Sequence, residues 1–123
     1  MKFTKMHGAG NDYIYINPAD EYKLYDWPEL SVTMSDRHTG IGSDGIILAL
    51  SSERADLKMR MFNADGSEGK MCGNGIRCLV SFAIDESIIE PDHSPVSVET
   101  QSGILTVYPN IEEGKMISAK VSM

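Results

Sequence analysis

Residues 62–78 read F-N-A-D-G-S-E-G-K-M-C-G-N-G-I-R-C, a glycine-rich stretch that delivers Cys72 to the start of a helix. Ile76, Cys78, Leu79, Val80, Phe82, Ala83 and Ile84 follow almost without interruption, which predicts a helix buried on most sides. The first turn of a helix leaves up to four backbone N–H groups without intrahelical acceptors, so the amides near Gly73, Asn74 and Gly75 are expected to face Cys72. Two anions suit that place: a ligand carboxylate and the thiolate of Cys72 itself. A thiol of pKa about 8.5 is only about 3% ionised at neutral pH. Lowering it to about 7 makes it about half ionised, for roughly 2 kcal/mol of differential interaction. The flanking glycines let a ligand approach the backbone closely.

A chain of 123 residues is expected to form one domain that buries roughly two-thirds of its unfolded surface without a staple. Cys72 and Cys78 lie six apart across the helix start, a spacing that fits neither a disulfide framework nor a zinc pair. Both read as thiols in a reducing compartment, and no metal site is expected. The net charge is −7 and no basic block occurs, which argues against nucleic acid and anionic membrane as partners and for a small-molecule ligand. No apolar run has the length of a signal peptide core or a membrane span, so a cytoplasmic location is expected.

Residues 2–7 and 13–17 (Y-I-Y-I-N) read as strands. The intervening G-A-G-N-D, residues 8–12, has two open readings: a hairpin turn in which Asn11 or Asp12 caps its own backbone, or a functional loop. His7 reads as a packed or surface histidine. After a surface connection, Pro28 fits the first turn of a short helix carrying Leu30 and Met34 to about Arg37, with Trp27 anchoring its entry. Residues 37–45, R-H-T-G-I-G-S-D-G, form a tight segment leading into an apolar strand at 46–50. Because a strand follows where a helix would be required, a dinucleotide loop is not expected.

Leu57, Met59 and Met61 alternate with Lys58 and Arg60, the pattern of a strand with one face in the core and one wet. The methionines read as core filling. N-A-D-G, residues 63–66, reads as a turn with Asn63 as its Asx residue, and Asp65 and Glu68 read as turn chemistry rather than an acid/base pair. Strands are expected at 96–100, 104–108 and 115–121, with turns at 101–103 and 110–114. Together these predict an α+β fold, a curved and mostly antiparallel sheet wrapped around one central buried helix. The last strand runs to Met123 with no closing turn, so a further domain or a second chain is expected to dock there.

K-M-H-G-A-G-N-D from Lys5, R-H-T-G-I-G-S-D-G from Arg37, F-N-A-D-G-S-E from Phe62 and M-C-G-N-G-I-R-C from Met71 resemble, in order and spacing, the amino-terminal half of the diaminopimelate epimerase family. The resemblance implies residues 1–123 as the first of two similar domains, with the carboxy-terminal domain absent and the active site in the cleft between them. It implies an isomerase of lysine and peptidoglycan precursor biosynthesis that interconverts LL- and meso-diaminopimelate by proton transfer between two cysteines, with neither PLP nor any other cofactor. On the same basis Cys72 is the acid/base thiol of this half, Gly73 and Asn74 hold the reacting carboxylate by their amides, and Asn11 and Asn63 contact the substrate. Some members carry a glutamine in place of Gly45, and here a glycine supplies no such contact. Cys78, six positions further along the same helix, reads as structural and cannot replace the opposing thiol.

The isolated chain is therefore expected to be inactive, to need a missing half or another chain, and to form homo-oligomers. The alternative is a non-catalytic amino-acid-binding or assembly module that keeps only the half-site. A proline-racemase-like or phenazine-pathway isomerase is disfavoured by the F-N-A-D-G-S-E block. A redox-thiol role is disfavoured by the lack of a C-x-x-C spacing.

Overall fold

Strand β2, Asp12–Asn17, is buried on both faces, and the alternation of its side chains divides the chain between two cores. Tyr13 and Tyr15 join Ile76, Leu79, Val80, Phe82 and Ala83 in the larger one. Ile14 and Ile16 join Trp27, Ile46, Leu48 and Phe62 in the smaller. Strand β3, Gly45–Leu50, divides in the same way, with Ile47 and Ala49 on one side and Ile46 and Leu48 on the other. Burial on two sides is why its sequence is an unbroken apolar run rather than an alternation. The computed structural model describes residues 2–7, 11–70 and 73–122.

The remaining elements are β1 (Lys2–His7), a 3-10 turn (Ala19–Leu24), α1 (Trp27–Ser35), β4 (Leu57–Asn63), β5 (Glu68–Gly69), α2 (Gly73–Asp85), β6 (Val96–Thr100), β7 (Gly103–Glu112) and β8 (Lys115–Ser122). The sheet runs β1-β2-β3-β4-β6-β7-β8, with β5 paired to β4. β2–β3 and β4–β6 are parallel and the other described pairs antiparallel. Each parallel pair needs a crossover. The first passes through α1, whose Trp27 lies in the smaller core, and the second through α2 on the opposite face. Helix α2 touches β1, β2 and β3 on one side and β7 and β8 on the other, so the sheet curls around it as the apolar run predicted.

Local chemistry sets the element ends. Asp26 caps α1 by accepting from the Glu29 N–H at 3.3 Å, and Pro28 lies in the first turn. Trp27 anchors the entry, its Nε1 donating to the Tyr22 carbonyl at 2.9 Å between the rings of Tyr22 and Tyr25. The helix stops before the expected Arg37 because the Asp36 carboxylate accepts from the His38 and Thr39 amides and turns the chain. Helix α2 ends in a Schellman arrangement, Ile88 N–H to the Ala83 carbonyl and Ser87 N–H to the Ile84 carbonyl, with Ser87 at φ +60°.

Two further expectations are corrected. The second hairpin turn is confined to Glu113 and Gly114, both at positive φ (52° and 79°), so residues 110–112 belong to β7. A two-residue turn with both centres at positive φ matches strand twist better than the wider loop. Glu68 is not turn chemistry: it pairs with Arg60, whose Nε and Nη2 each lie 2.8 Å from its carboxylate. The supposedly wet face of β4 is thereby half covered, with Arg60 also donating to the Tyr22 hydroxyl and lying over the Phe62 ring. Among the described residues, no helix is long and apolar enough to cross a membrane.

Candidate functional site

The start of β2, the start of β3 and the end of β4 lie side by side, and this end of the sheet carries the motif residues. Gly45 stands opposite Asn63 in the β3–β4 ladder, and the parallel β2–β3 ladder continues outward through a bond from the Asp44 N–H to the Asp12 carbonyl at 2.8 Å. Asn11, half-buried, immediately precedes Asp12. The Ala64 N–H, next to Asn63, donates to the Asp44 carbonyl at 2.9 Å. The structure thus brings Asn11 and Asn63 to either side of Asp44.

Asn63 is held by a hairpin of its own making. Its backbone N–H donates to the Ser67 carbonyl at 2.7 Å, its side-chain Nδ2 to Ser67 Oγ at 3.1 Å, and Gly66 N–H returns to its carbonyl at 2.9 Å. The Asx residue of this turn is Asp65 rather than Asn63: its carboxylate accepts from both the N–H and the hydroxyl of Ser67, and these bonds hold its pKa below the usual range. Gly66 takes φ +88° where the turn packs on Pro28 of α1. Ser31, fully buried in α1, shares its hydroxyl proton between the carbonyls of Phe62 (3.1 Å) and Asn63 (2.8 Å).

Gly73 opens α2 and Asn74 follows, half-buried. The Asn74 side-chain carbonyl accepts from Arg77 Nη1 at 3.1 Å, and Arg77 Nε donates to the Ala119 carbonyl of β8 at 3.2 Å. The Tyr15 hydroxyl donates to the Gly75 carbonyl at 3.4 Å, which sets the first turn of α2 against the middle of β2. Cys72 and the loop at residues 8–10 lie outside the described residues. Cys78 is half-buried and packs against the larger core.

Sequence reasoning missed the charged group that ties the first two motif blocks together. Asp12 is buried, and its carboxylate receives Arg37 Nη2 at 3.0 Å and Lys5 Nζ at 3.0 Å. Arg37 also reaches Asp44 at 3.3 Å. The Arg37 hydrogen bonds hold the Asp12 carboxyl far below the ordinary carboxylate range, outweighing the opposing effect of burial, with Lys5 adding to the shift. The available signal was in the cations: Lys5 and Arg37 beside glycine-rich turns are not turn residues and called for partners, whereas Asp12 and Asp44 passed as turn chemistry.

A cleft of about 710 Å³ opens at the other end of the strands, lined among others by Asn17, Tyr22, Lys23, Leu50, Ser52 and Lys58. Among the described residues, none of the sequence-predicted site residues borders it. Among the described residues, no group of three His, Cys, Asp or Glu side chains is arranged to hold a metal.

The chain matches the family model described as diaminopimelate epimerase over residues 3–123. It is 52% identical to a diaminopimelate epimerase of Methanococcus maripaludis (strain C5) across the whole of this chain and 43% of that protein. With a diaminopimelate epimerase of Bacillus licheniformis the identity is 47%, over 99% of this chain and 42% of that protein. The chain therefore spans less than half the length of these relatives.

Among solved structures it is similar to a hydroxyproline epimerase from Agrobacterium vitis, with a TM-score of 0.74 at 19% identity over 98% of this chain and 40% of that one. It is also similar to a phenazine biosynthesis protein of the PhzF family from Bacillus anthracis, with a TM-score of 0.65 at 21% identity over 92% of this chain and 36% of that one. At such identity the two structures bear on the fold alone.

Proposed function

The chain belongs to the diaminopimelate epimerase family, and from that premise we propose that it is the amino-terminal domain of a two-domain, cofactor-independent epimerase interconverting LL- and meso-diaminopimelate. The observation that carries this reading is identity of about one residue in two to diaminopimelate epimerases across the whole chain. The Cys72 thiolate removes the α-proton: the C–H bond breaks, an S–H bond forms, and the electron pair stays on the α-carbon beside the carboxylate. The amides of Gly73 and Asn74, at the positive end of α2, hold that carboxylate and stabilise the charge that develops next to it. Asn11 and Asn63 hold the substrate, and a thiol on the opposite face returns a proton to the other side.

That second thiol comes from a carboxy-terminal half or another chain. The packing of Cys78 against the core supports a structural role for it. The thiol chemistry requires a reducing setting, so the reading includes the cytoplasm. The reading includes homo-oligomers, which sedimentation velocity over a range of concentrations checks.

The test is LL-diaminopimelate in D₂O, followed by proton NMR for α-proton exchange and by chiral chromatography for the meso product. The chain alone leaves the substrate unchanged, the chain joined to a complementary carboxy-terminal domain epimerises it, and Cys72→Ser abolishes the reaction because a hydroxyl is far harder to ionise. Epimerisation by the isolated chain that survives Cys78→Ala would overturn the incapacity. Binding without exchange in every assembly would favour a non-catalytic module.

A further inference from the structure

The peptide that follows each of the two substrate asparagines donates its N–H to the same residue. Asp12 N–H, after Asn11, donates to Asp44 Oδ2 at 3.0 Å, and Ala64 N–H, after Asn63, donates to the Asp44 carbonyl at 2.9 Å. Asp44 also donates its own N–H to the Asp12 carbonyl at 2.8 Å, and its Oδ1 accepts from Arg37 Nη2 at 3.3 Å. Both backbone polar groups of Asp44 and its Oδ2 are thus spent on the two strand ends that carry Asn11 and Asn63, and its Oδ1 is spent on Arg37, which also holds Asp12.

We infer that Asp44 is a positioning residue that sets the separation of Asn11 and Asn63, an inference that rests on the substrate role proposed for those asparagines. The need for such a strut follows from where the asparagines sit. Asn11 directly precedes β2 and Asn63 is the last residue of β4, so each sits at a strand end. Two groups that grip one small molecule must keep a fixed spacing, because a misplacement of about 1 Å can cost about a hundredfold in rate. The two backbone bonds of Asp44 survive any substitution except proline, whereas its bonds to the Asp12 N–H and to Arg37 depend on the carboxylate. Asparagine keeps one acceptor of the same reach, enough for the Asp12 N–H but not also for Arg37, and alanine keeps none.

The experiment compares Asp44→Ala and Asp44→Asn in the complemented enzyme. Asp44→Ala raises KM for diaminopimelate about tenfold with kcat held within about threefold, the signature of lost binding shared by ground and transition states, and Asp44→Asn stays within about threefold of the parent in both. An unchanged KM in Asp44→Ala, or an Asp44→Asn variant as impaired as Asp44→Ala, overturns the inference.

A second readout is independent of epimerisation and is made on the 123-residue chain. The side-chain amide resonance of Asn11 shifts in Asp44→Ala and returns toward the parent position in Asp44→Asn, whereas that of Asn63, tied through the Asp44 carbonyl, stays in place in both. If no assembly is active but these resonances behave as stated, the functional reading fails and the strut stands. If the enzyme is active and the Asn11 resonance does not move in Asp44→Ala, the strut fails alone. Should the alanine variant not fold, the wild-type chain decides: the amide hydrogens of Asp12 and Ala64 exchange through one common opening if Asp44 holds both, and unrelated rates overturn the inference.

Discussion

Arg37 closes on Asp12 with both terminal nitrogens, Nη2 at 3.0 Å from Oδ1 and Nη1 at 3.4 Å from Oδ2. The arginine side chain is half in solvent while the carboxylate is only 11% exposed, so the pair joins a surface loop to the buried start of β2. With Lys5 on the same carboxylate, it ties β1, β2 and the turn before β3 into one unit.

This arrangement makes part of the stability acid-labile. The carboxyl of Asp12 titrates far below its ordinary value of 3.8 in the folded chain, so its contribution is fully present above that value and is lost as pH falls below it toward the depressed folded value. Asp12→Asn is expected to cost about 1–2 kcal/mol at neutral pH, a figure discounted for the solvent exposure of the arginine. Urea midpoints of both proteins at pH 7, 4 and 2.5 check this. The gap between them narrows as the pH falls, and a gap independent of pH would refute the assignment.

Gly45 has no room for a side chain. A Cβ there would run into the carbonyl oxygen of Phe62 and lie 3.1 Å from the Asn63 Cα, both on the paired strand. Because the obstacle is backbone inside a ladder, it cannot rotate aside. Gly45→Ala is expected to destabilise by about 1–3 kcal/mol, and Gly45→Gln does no better, since its Cβ meets the same backbone. Thermal unfolding of the two variants decides it: either one as stable as the parent would mean that β4 yields easily.

How much of this was legible without coordinates differs from element to element. Helix α2 and strands β2 and β3 announce themselves by apolar runs, since Ile14, Ile46 and Ile76 must each be buried. The sheet order does not, because the parallel pairing of Ile14 with Ile46 depends on α1 filling the face beneath them. At the site, Asn11, Asn63, Gly73 and Asn74 were singled out from motif blocks. The Asp44 bonds were not, for they join residues 32 and 20 positions away, a relationship set by strand order. The turn at Glu113–Gly114 was placed too broadly because Asn110 and Pro109 mimic a turn while lying in β7 beyond Val107, the last residue paired with β6.

Ser31 is the contact by which α1 governs the end of β4. Its hydroxyl is completely buried and serves two carbonyls, so alanine leaves both without that donor. Ser31→Ala is expected to cost about 1–2 kcal/mol and to loosen residues 63–67 selectively. Amide exchange that accelerates at Asn63 and Gly66 but not in β2 supports this, and uniform acceleration would indicate only a global loss of stability.

Arg77 performs the corresponding task for α2. A cation in the first half of a helix gains nothing from the helix dipole, so the residue is explained by its contacts: one nitrogen on the Asn74 side chain, another on the Ala119 carbonyl of β8. Strand β8 pairs with β7 alone in the described sheet and packs Met116, Ala119 and Val121 against the larger core, and this cross-link adds a polar tie from the strand to the helix. A lysine keeps the charge but not the planar fork needed to span both acceptors. Arg77→Lys and Arg77→Met are therefore both expected to speed amide exchange in β8 by about tenfold, equivalent to about 1.4 kcal/mol of local opening, while β2 and β3 are unaffected. If lysine restores the parent rates, charge rather than geometry is what β8 requires. If neither variant changes them, the pairing with β7 holds the strand alone and the start of α2 is not coupled to it.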